Sequence, residues 1–451
     1  MLERVEWLEG ALSFTPLLGV LDLVLILHFL ASWFFSAKRT GWKIDLWYFT
    51  LFTGLFQHLF VLYPFNGSEW NRFFISDHQD RLVSYVDFAF IIGVVGYLFL
   101  WLGRLSHQLI RSRLGPFTLG RFLPHLIELN VKSRAAFLTL SFVVILMGLS
   151  LLGIQFSQGN YFHGRALFLS NDLLRPVFNA MFSLALIFFT FFSLRAAQIK
   201  KRSEIGLFIL MLVIALFSGV RGLIFVGLLQ LLLYRALYRE GRGSLLKFSL
   251  YLLLFFVAAV FIGNMREGEF DPQIAIQKGF LYYLYGNNFS DTRDFACLLA
   301  YWDGEFLYGK TYVAALLSFI PRALIPLREE WGMAMVTNQW VGFDSMVMPG
   351  LRPGLFGEAF FNFGFFGVAL FGWLFGFILK FADEKIKEHV RLSKDLIKGY
   401  SYTLLVSFVS ALMITGSLWT FYVFILVNFA LVPFRYLGPG KQLCSISVKE
   451  S

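Results

Sequence analysis

Apolar residues recur along the chain in stretches long enough for a helix to cross a bilayer. A hydrocarbon core of about 30 Å requires about 20 apolar residues in helical form. The pattern therefore predicts an all-α polytopic membrane protein with eleven spanning helices. These helices are expected at 14–35, 46–65, 83–103, 135–154, 173–194, 204–218, 222–237, 246–263, 354–379, 400–415 and 418–437.

The spacing of the predicted helices divides the chain into three parts. Residues 1–263 contain about eight helices, and residues 354–451 contain three helices and a short tail. Between them, residues 264–353 form one long loop with seven basic and ten acidic residues. A connection of this length is seldom a simple linker, so the loop is expected to carry function.

The long loop is predicted to contain short elements of its own. Ser290 is a suitable N-cap for a helix that ends near Tyr301. The apolar run 311–320 is about half as long as a spanning helix, and Pro321 and Pro326 follow it. This run therefore predicts an interfacial or re-entrant segment.

The composition excludes several other classes of protein. Apolar residues make up 57% of the chain and charged residues only 15%, whereas soluble domains carry about 25% charged residues. These values exclude a soluble globular protein, a disordered chain, a collagen-like fibre and a disulfide scaffold.

The distribution of basic residues predicts the orientation in the membrane. The net charge is +10, and 26 of the 39 Lys and Arg residues fall on the loops of one side. Cytoplasmic loops are enriched in Lys and Arg. The C-terminus is therefore expected inside, and the N-terminus and the long loop outside. The same rule explains the positive charge, so no nucleic-acid partner is expected.

Arg221 interrupts the apolar run 204–234 within the sequence Ser-Gly-Val-Arg-Gly. A single helix over this run would be about 46 Å long and would place basic flanks on both sides of the membrane. A helical hairpin fits better, with arms of about 22 Å that leave Arg221 below the outer surface. An Arg at that depth contacts an anion or a cavity, or snorkels to pair with a loop carboxylate.

Arginines are concentrated at the predicted outer face. A guanidinium is a permanently charged fork that suits phosphate, and a diphosphate leaving group requires such neutralisation where no metal supplies it. Some of these arginines are expected to pair with loop carboxylates instead. The candidates in or beside the long loop are Arg221, Arg266, Arg293, Arg322, Arg328 and Arg352.

Glu358 lies about one turn inside the ninth predicted helix, after the loop sequence Gly-Leu-Arg-Pro-Gly at 350–354. A carboxylate within an apolar helix is a functional candidate, and an ion pair with a neighbouring Arg such as Arg352 is the structural alternative. In the long loop, Asp303 and Glu305 are a second carboxylate pair that could act as a base or hold a divalent metal. No His lies between 164 and 388, and we expect no metal or other cofactor.

Three stretches resemble the bacterial oligosaccharide repeat-unit polymerases, which include the O-antigen and enterobacterial common antigen polymerases. They are FSGVRG at 217–222, IPRALIPLR at 320–328 and GLFGEAFFNFGFFGVALFGWLFG at 354–376. The resemblance implies a C-type glycosyltransferase of the inner membrane that works at the periplasmic face. Its substrates would be undecaprenyl-diphosphate-linked oligosaccharides as donor and acceptor, and a chain-length regulator would be a possible partner.

Carried onto this chain, the resemblance makes Arg221 and Arg328 the diphosphate ligands. Arg352, Arg266 and Arg293 are further candidates because arginines are concentrated at the predicted outer face. Glu358 would be the catalytic carboxylate, and Asp303 or Glu305 would replace it if Glu358 is structural. Other lipid-linked-sugar transferases, such as an O-antigen ligase, and a lipid-linked oligosaccharide flippase stay as alternatives. The related ligases use a His in the long loop, which this chain lacks.

Overall fold

The structure is a computed structural model that describes residues 79–114, 134–159, 202–217, 291–320, 324–342 and 350–388, together with a few isolated helical positions. Within these ranges the chain is helical and contains no strand, as the sequence predicts. The chain divides into two compact units, which are described separately.

Among the described residues, six helices belong to the first unit and two to the second. The first unit contains α1 (Gln79–Leu114), α4 (Asp291–Tyr301), α5 (Lys310–Leu316), α6 (Leu327–Glu330), α7 (Met333–Val341) and α8 (Gly354–Ile386). A short 3₁₀ turn, Leu317–Phe319, extends α5. The second unit contains α2 (Arg134–Ser157) and α3 (Arg202–Phe217).

Two helices of the described chain are long and apolar enough to cross a membrane. They are Asp87–Ile110 within α1, and α8. Both continue beyond their predicted ends at 103 and 379. Helices α2 and α3 coincide with the predicted spans 135–154 and 204–218, although α3 has only 16 residues. The other seven predicted spans lie wholly or largely outside the described residues.

Helices α1 and α8 pack against each other at glycines, where their backbones are in direct contact. A Cβ atom at Gly376 would overlap the carbonyl oxygen of Leu100, and one at Gly103 would overlap that of Trp373. Small residues at a crossing allow the close approach that is typical of helix pairs in membranes. Phe88 contacts Phe365, and His107, further along α1, contacts Phe377, further along α8. The two helices therefore run in the same direction.

Helix α8 is broken and folds back on itself, whereas the sequence predicts one continuous helix. Phe363 and Gly364 have non-helical backbone angles, and Gly364 adopts φ 61° and ψ −152°, a region that essentially only glycine occupies. Phe356 and Gly372 both lie against Gly96 of α1, although 16 residues of straight helix would span about 24 Å. A short arm, 354–362, therefore runs back along a long arm, 365–386.

The long arm of α8 is still long enough to span a bilayer, since its 22 residues extend for about 33 Å. The short arm is almost wholly buried between α1, α4 and the long arm. Phe295 of α4 packs on Phe361 with ring centroids 5.2 Å apart, and Phe356 packs on Tyr97 of α1 at 5.2 Å. The hairpin thus forms the core at one end of the first unit.

Helix α4 begins at Asp291, one residue after the predicted N-cap Ser290, which lies outside the described residues. Its acidic first turn, with Asp291 and Asp294, suits the positive end of the helix dipole. A Cβ atom at Gly354, where φ is +70°, would lie 3.0 Å from the Cβ of Asp291. The long loop therefore packs against the α8 hairpin and does not stand apart from it.

In the second unit, α2 and α3 pack on each other. A Cβ atom at Gly148 would lie 2.8 Å from the Cγ2 atom of Ile214, so this glycine lets the two helices approach closely. Helix α3 ends at Phe217, four residues before Arg221. The predicted hairpin tip with Arg221 lies outside the described residues.

Candidate active site

The break in α8 is stabilised by backbone hydrogen bonds from the long loop. In an unbroken helix the carbonyls of Phe361 and Asn362 would accept from residues 365 and 366. Here they accept instead from the amides of Leu307 at 2.9 Å and Tyr308 at 3.1 Å. The loop thus supplies the donors that the break removes, as a buried backbone requires.

The side chain of Asn362 ties the same loop to the short arm. Its Oδ1 accepts from the Gly309 amide at 3.0 Å, and its Nδ2 donates to Thr311 Oγ1 at 2.8 Å and to the Glu358 carbonyl at 2.8 Å. Asn362 and Thr311 are completely buried. We call Asn362, Thr311, Glu358 and the backbone of 307–309 the Asn362 junction.

Glu358 is the buried carboxylate of this junction. Only 2% of its surface is exposed, and it lies one helical turn before Asn362 on the short arm. Arg352, its predicted partner, is exposed, and its amide lies 3.5 Å from Asp294 Oδ2. The two residues therefore have different environments.

Tyr312 of α5 lies within range of the charge of Glu358. Its ring stacks on Phe363 and Phe371, with centroids 6.1 and 4.9 Å away. Burial, and then the negative charge of Glu358, raise the pKa of the Tyr312 phenol, so the hydroxyl stays protonated. This hydroxyl is buried and makes no hydrogen bond to any residue in the described ranges.

An aromatic shell encloses the C-terminal end of the short arm. Trp302 and Phe306 pack on Phe360 with centroids 5.6 and 6.2 Å away, and Trp340 of α7 packs on Phe361 at 4.9 Å. The shell therefore encloses the short arm that carries the buried Glu358.

Arg328 is held in place by the end of the short apolar segment. Its Nη1 donates to the carbonyl of Ser318 at 3.0 Å and to that of Ile320. The guanidinium is half-buried and forms no ion pair within the described part of the chain. Three of its five N–H donors remain for another acceptor, so Arg328 keeps an oriented positive charge.

The other predicted arginines are less well placed by the structure. Arg293 lies on α4, but its side chain is not described. Arg221, Arg266 and Arg322 lie outside the described residues. The structure therefore brings together Glu358 and the loop that precedes Arg328, and it does not address the arginine cluster as a whole.

Asp303 and Glu305 form a turn on the surface. Both are exposed, Asp303 Oδ1 accepts from the Glu305 amide at 2.9 Å, and Trp302 Nε1 donates to the Glu305 carbonyl at 2.8 Å. Their spacing therefore has a structural explanation as an aspartate-stabilised turn. Within the described ranges no group of acidic, His or Cys residues could hold a metal ion.

A second polar cluster lies where α1 and α8 approach their C-terminal ends. Arg104 Nη1 lies 3.8 Å from Asp383 Oδ2, and Glu384 Oε1 lies 3.9 Å from His107 Nδ1 and 3.6 Å from Lys380 Nζ. The sequence assigned Arg104 and Lys380 to cytoplasmic loops. In the structure both helices continue past these residues.

The roles of Asn362, Thr311 and Tyr312 were not predicted from the sequence. The available signal was an Asn two residues before a Gly inside an apolar helix, since both residue types favour a break over a helix interior.

Comparisons with protein-family models, curated proteins and solved structures give no match.

Proposed function

We propose that the protein polymerises oligosaccharide repeat units carried on undecaprenyl diphosphate. It would act as an inner-membrane glycosyltransferase with its active site facing the periplasm. The proposal includes eleven spanning helices and the C-type glycosyltransferase architecture that the resemblance implies. The carrying observation is Glu358, a carboxylate only 2% exposed on a folded-back helical arm that the long loop covers.

The arrangement suits transfer of a sugar from a diphosphate. Negative charge grows on the departing diphosphate, while the acceptor hydroxyl must lose a proton as it attacks the sugar carbon. Glu358 would take that proton. Arg328 would neutralise the diphosphate, because its guanidinium is oriented by two carbonyls and keeps free donors. Arg221 and Arg352 are proposed as further diphosphate ligands.

Glu358 is closed off in this conformation, so the proposed reaction requires an opening. The cover is the 307–311 stretch, which the Asn362 junction holds with hydrogen bonds of 2.8 to 3.1 Å. Closed sites that exclude water and open for substrate are common in enzymes. The proposal therefore includes movement of this stretch when the lipid-linked acceptor binds.

The test is polymerisation in proteoliposomes supplied with undecaprenyl-diphosphate-linked repeat units from the host bacterium. Glu358→Gln should reduce polymer formation at least 100-fold, at unchanged protein level and monodispersity. Glu305→Gln, which alters an exposed carboxylate, is the matched control and should keep activity. Loss with Glu305→Gln and retention with Glu358→Gln would move the base to the long loop.

The diphosphate role has its own variant pair. Arg328→Lys keeps the charge but loses the planar fork, so activity should fall at least tenfold. Arg221→Lys should do the same if the hairpin tip contributes to the site. EDTA should leave activity intact. Activity that vanishes with EDTA and returns with Mn²⁺ would instead favour a metal at Asp303 and Glu305.

A further inference from the structure

Helix α5 has one buried face and one exposed apolar face. Thr311, Ala314 and Ala315 are buried against the α8 hairpin. Val313 and Leu316 are 43% and 49% exposed. The exposed side of this helix therefore carries two apolar side chains, next to the exposed Lys310 at its first residue.

Exposed apolar side chains continue in the stretch that leads into α6. Leu324 is 72% exposed and Leu327 is 50% exposed. Arg328 joins this stretch to the end of the α5 segment through its hydrogen bonds to Ser318 and Ile320. We call Val313, Leu316, Leu324 and Leu327 the apolar platform.

Basic residues lie along the platform in sequence. From Phe306 to Arg328 the sequence contains Lys310, Arg322 and Arg328. Glu305 precedes this stretch, and Glu329 and Glu330 follow it on α6. Basic residues that flank an exposed apolar face are typical of segments that lie on anionic membranes.

The platform adjoins the long arm of α8. Tyr312, which separates Thr311 from Val313, stacks on Phe363 and Phe371 of the hairpin. The long arm itself exposes Phe366 at 71% and Leu370 at 44%. An apolar surface that continues from a spanning helix onto a loop helix is covered most simply by lipid.

We propose that the apolar platform docks into the outer leaflet of the membrane. Its leucines enter the boundary between headgroups and acyl chains, and Lys310 contacts the phosphates of anionic headgroups. The sequence pattern left open whether this stretch is interfacial or re-entrant, and the exposed face on α5 favours the interfacial form. The proposal does not depend on the polymerase reaction.

The experiment uses the full chain with Cys297→Ala and Cys444→Ser, reconstituted in phosphatidylcholine vesicles with or without phosphatidylglycerol. An environment-sensitive fluorophore is attached at Leu324→Cys, and at Gln339→Cys as the matched exposed control on α7. Spin-labelled lipid should quench position 324 at least threefold more than position 339. Equal quenching at both positions would overturn the proposal.

Three further arms separate lipid from other partners. Lys310→Gln should reduce the extra quenching gained with phosphatidylglycerol, whereas Lys385→Gln on α8 should not. Inorganic phosphate at millimolar concentration should leave the emission at position 324 unchanged in detergent. A shift with phosphate alone, or energy transfer between copies labelled at 324, would overturn lipid docking in favour of a free anion or a second copy.

Discussion

The two ends of the α1–α8 pair are held together by different chemistry. Near their C-terminal ends the contacts are ionic, and Arg104–Asp383 is the pair with the more buried acid. At the other end, the loop and the hairpin meet through amide and backbone hydrogen bonds centred on Asn362. Glycine contacts at Gly103 and Gly376 lie between the two regions.

This difference separates what positions the helices from what could perform chemistry. Ion pairs hold two side chains at a fixed distance, and breaking one leaves a buried charge uncompensated. The Asn362 junction instead replaces helical hydrogen bonds one for one. The ionic end is therefore expected to control stability, and the Asn362 end to control both stability and function.

The largest loss of stability is expected from a change that separates α1 from α8, because the two ends could then no longer be compared. Gly376→Leu places a side chain on the carbonyl of Leu100, and a backbone atom cannot move aside as a side chain can. We expect at least about 4 kcal/mol of destabilisation, measured as loss of monodisperse protein in detergent. Gly153→Ala, where a Cβ meets nothing within 4 Å, is the control and should be tolerated.

The next largest effect should separate the two ends. Asp383→Asn leaves Arg104 opposite a neutral amide, and we expect about 4 kcal/mol of destabilisation in thermal unfolding. Activity per folded molecule should persist, because Glu358 lies at the other end of the helix pair. Glu388→Gln, on the exposed pair with Lys385, should cost less than about 1 kcal/mol. Loss of activity at full stability would place Asp383 in the catalytic machinery instead.

Asn362→Ala tests the other end. It removes three side-chain hydrogen bonds, each worth about 1 kcal/mol, so we expect about 3 kcal/mol of destabilisation. Thr311→Val removes one of the three and should cost about 1 kcal/mol. If both variants cost the same free energy of unfolding, the junction does not act through Asn362.

The smallest effect should have the opposite sign. Tyr312→Phe removes a buried hydroxyl without a partner in the described ranges, so we expect about 1 kcal/mol of stabilisation.

The raised pKa of Tyr312 adds a pH dependence to the free energy of unfolding. Below pH 10 the phenol is protonated in both states, and above it the unfolded chain ionises first, so stability falls as pH rises. The Phe variant should lack this component of the alkaline loss, as measured by unfolding from pH 8 to 11.

The sequence predicted what depends on hydrophobic length and missed what depends on backbone angles. The apolar runs at 83–103 and 354–379 and the loop helix that ends at Tyr301 appear as helices in the structure. The reversal at Phe363–Gly364 was missed, since hydropathy does not record a turn inside an apolar run. The ends of α1 and α8 were also missed, because Arg104 and Lys380 resemble loop residues until their acidic partners are known.

For the candidate site, the sequence singled out Glu358 because a carboxylate in an apolar helix is costly. It could not select Asn362 or Tyr312, since their roles arise from contacts across about 50 residues of chain. Arg328 was chosen for its position after the proline-bounded segment, and the structure adds the carbonyls that orient it. Arg221 and Arg266 stay predictions from the sequence.

The folded-back arm also determines how deep in the membrane Arg352, just before α8, lies. Phe88 lies at the reversal and Gly96 beside the start of α8, and these eight residues of α1 cover about 12 Å. Arg352 is exposed just before that start. In a bilayer, an exposed guanidinium at this depth requires hydration. Under the orientation that goes with the proposed function, water would therefore have to reach about 12 Å below the level of Phe88.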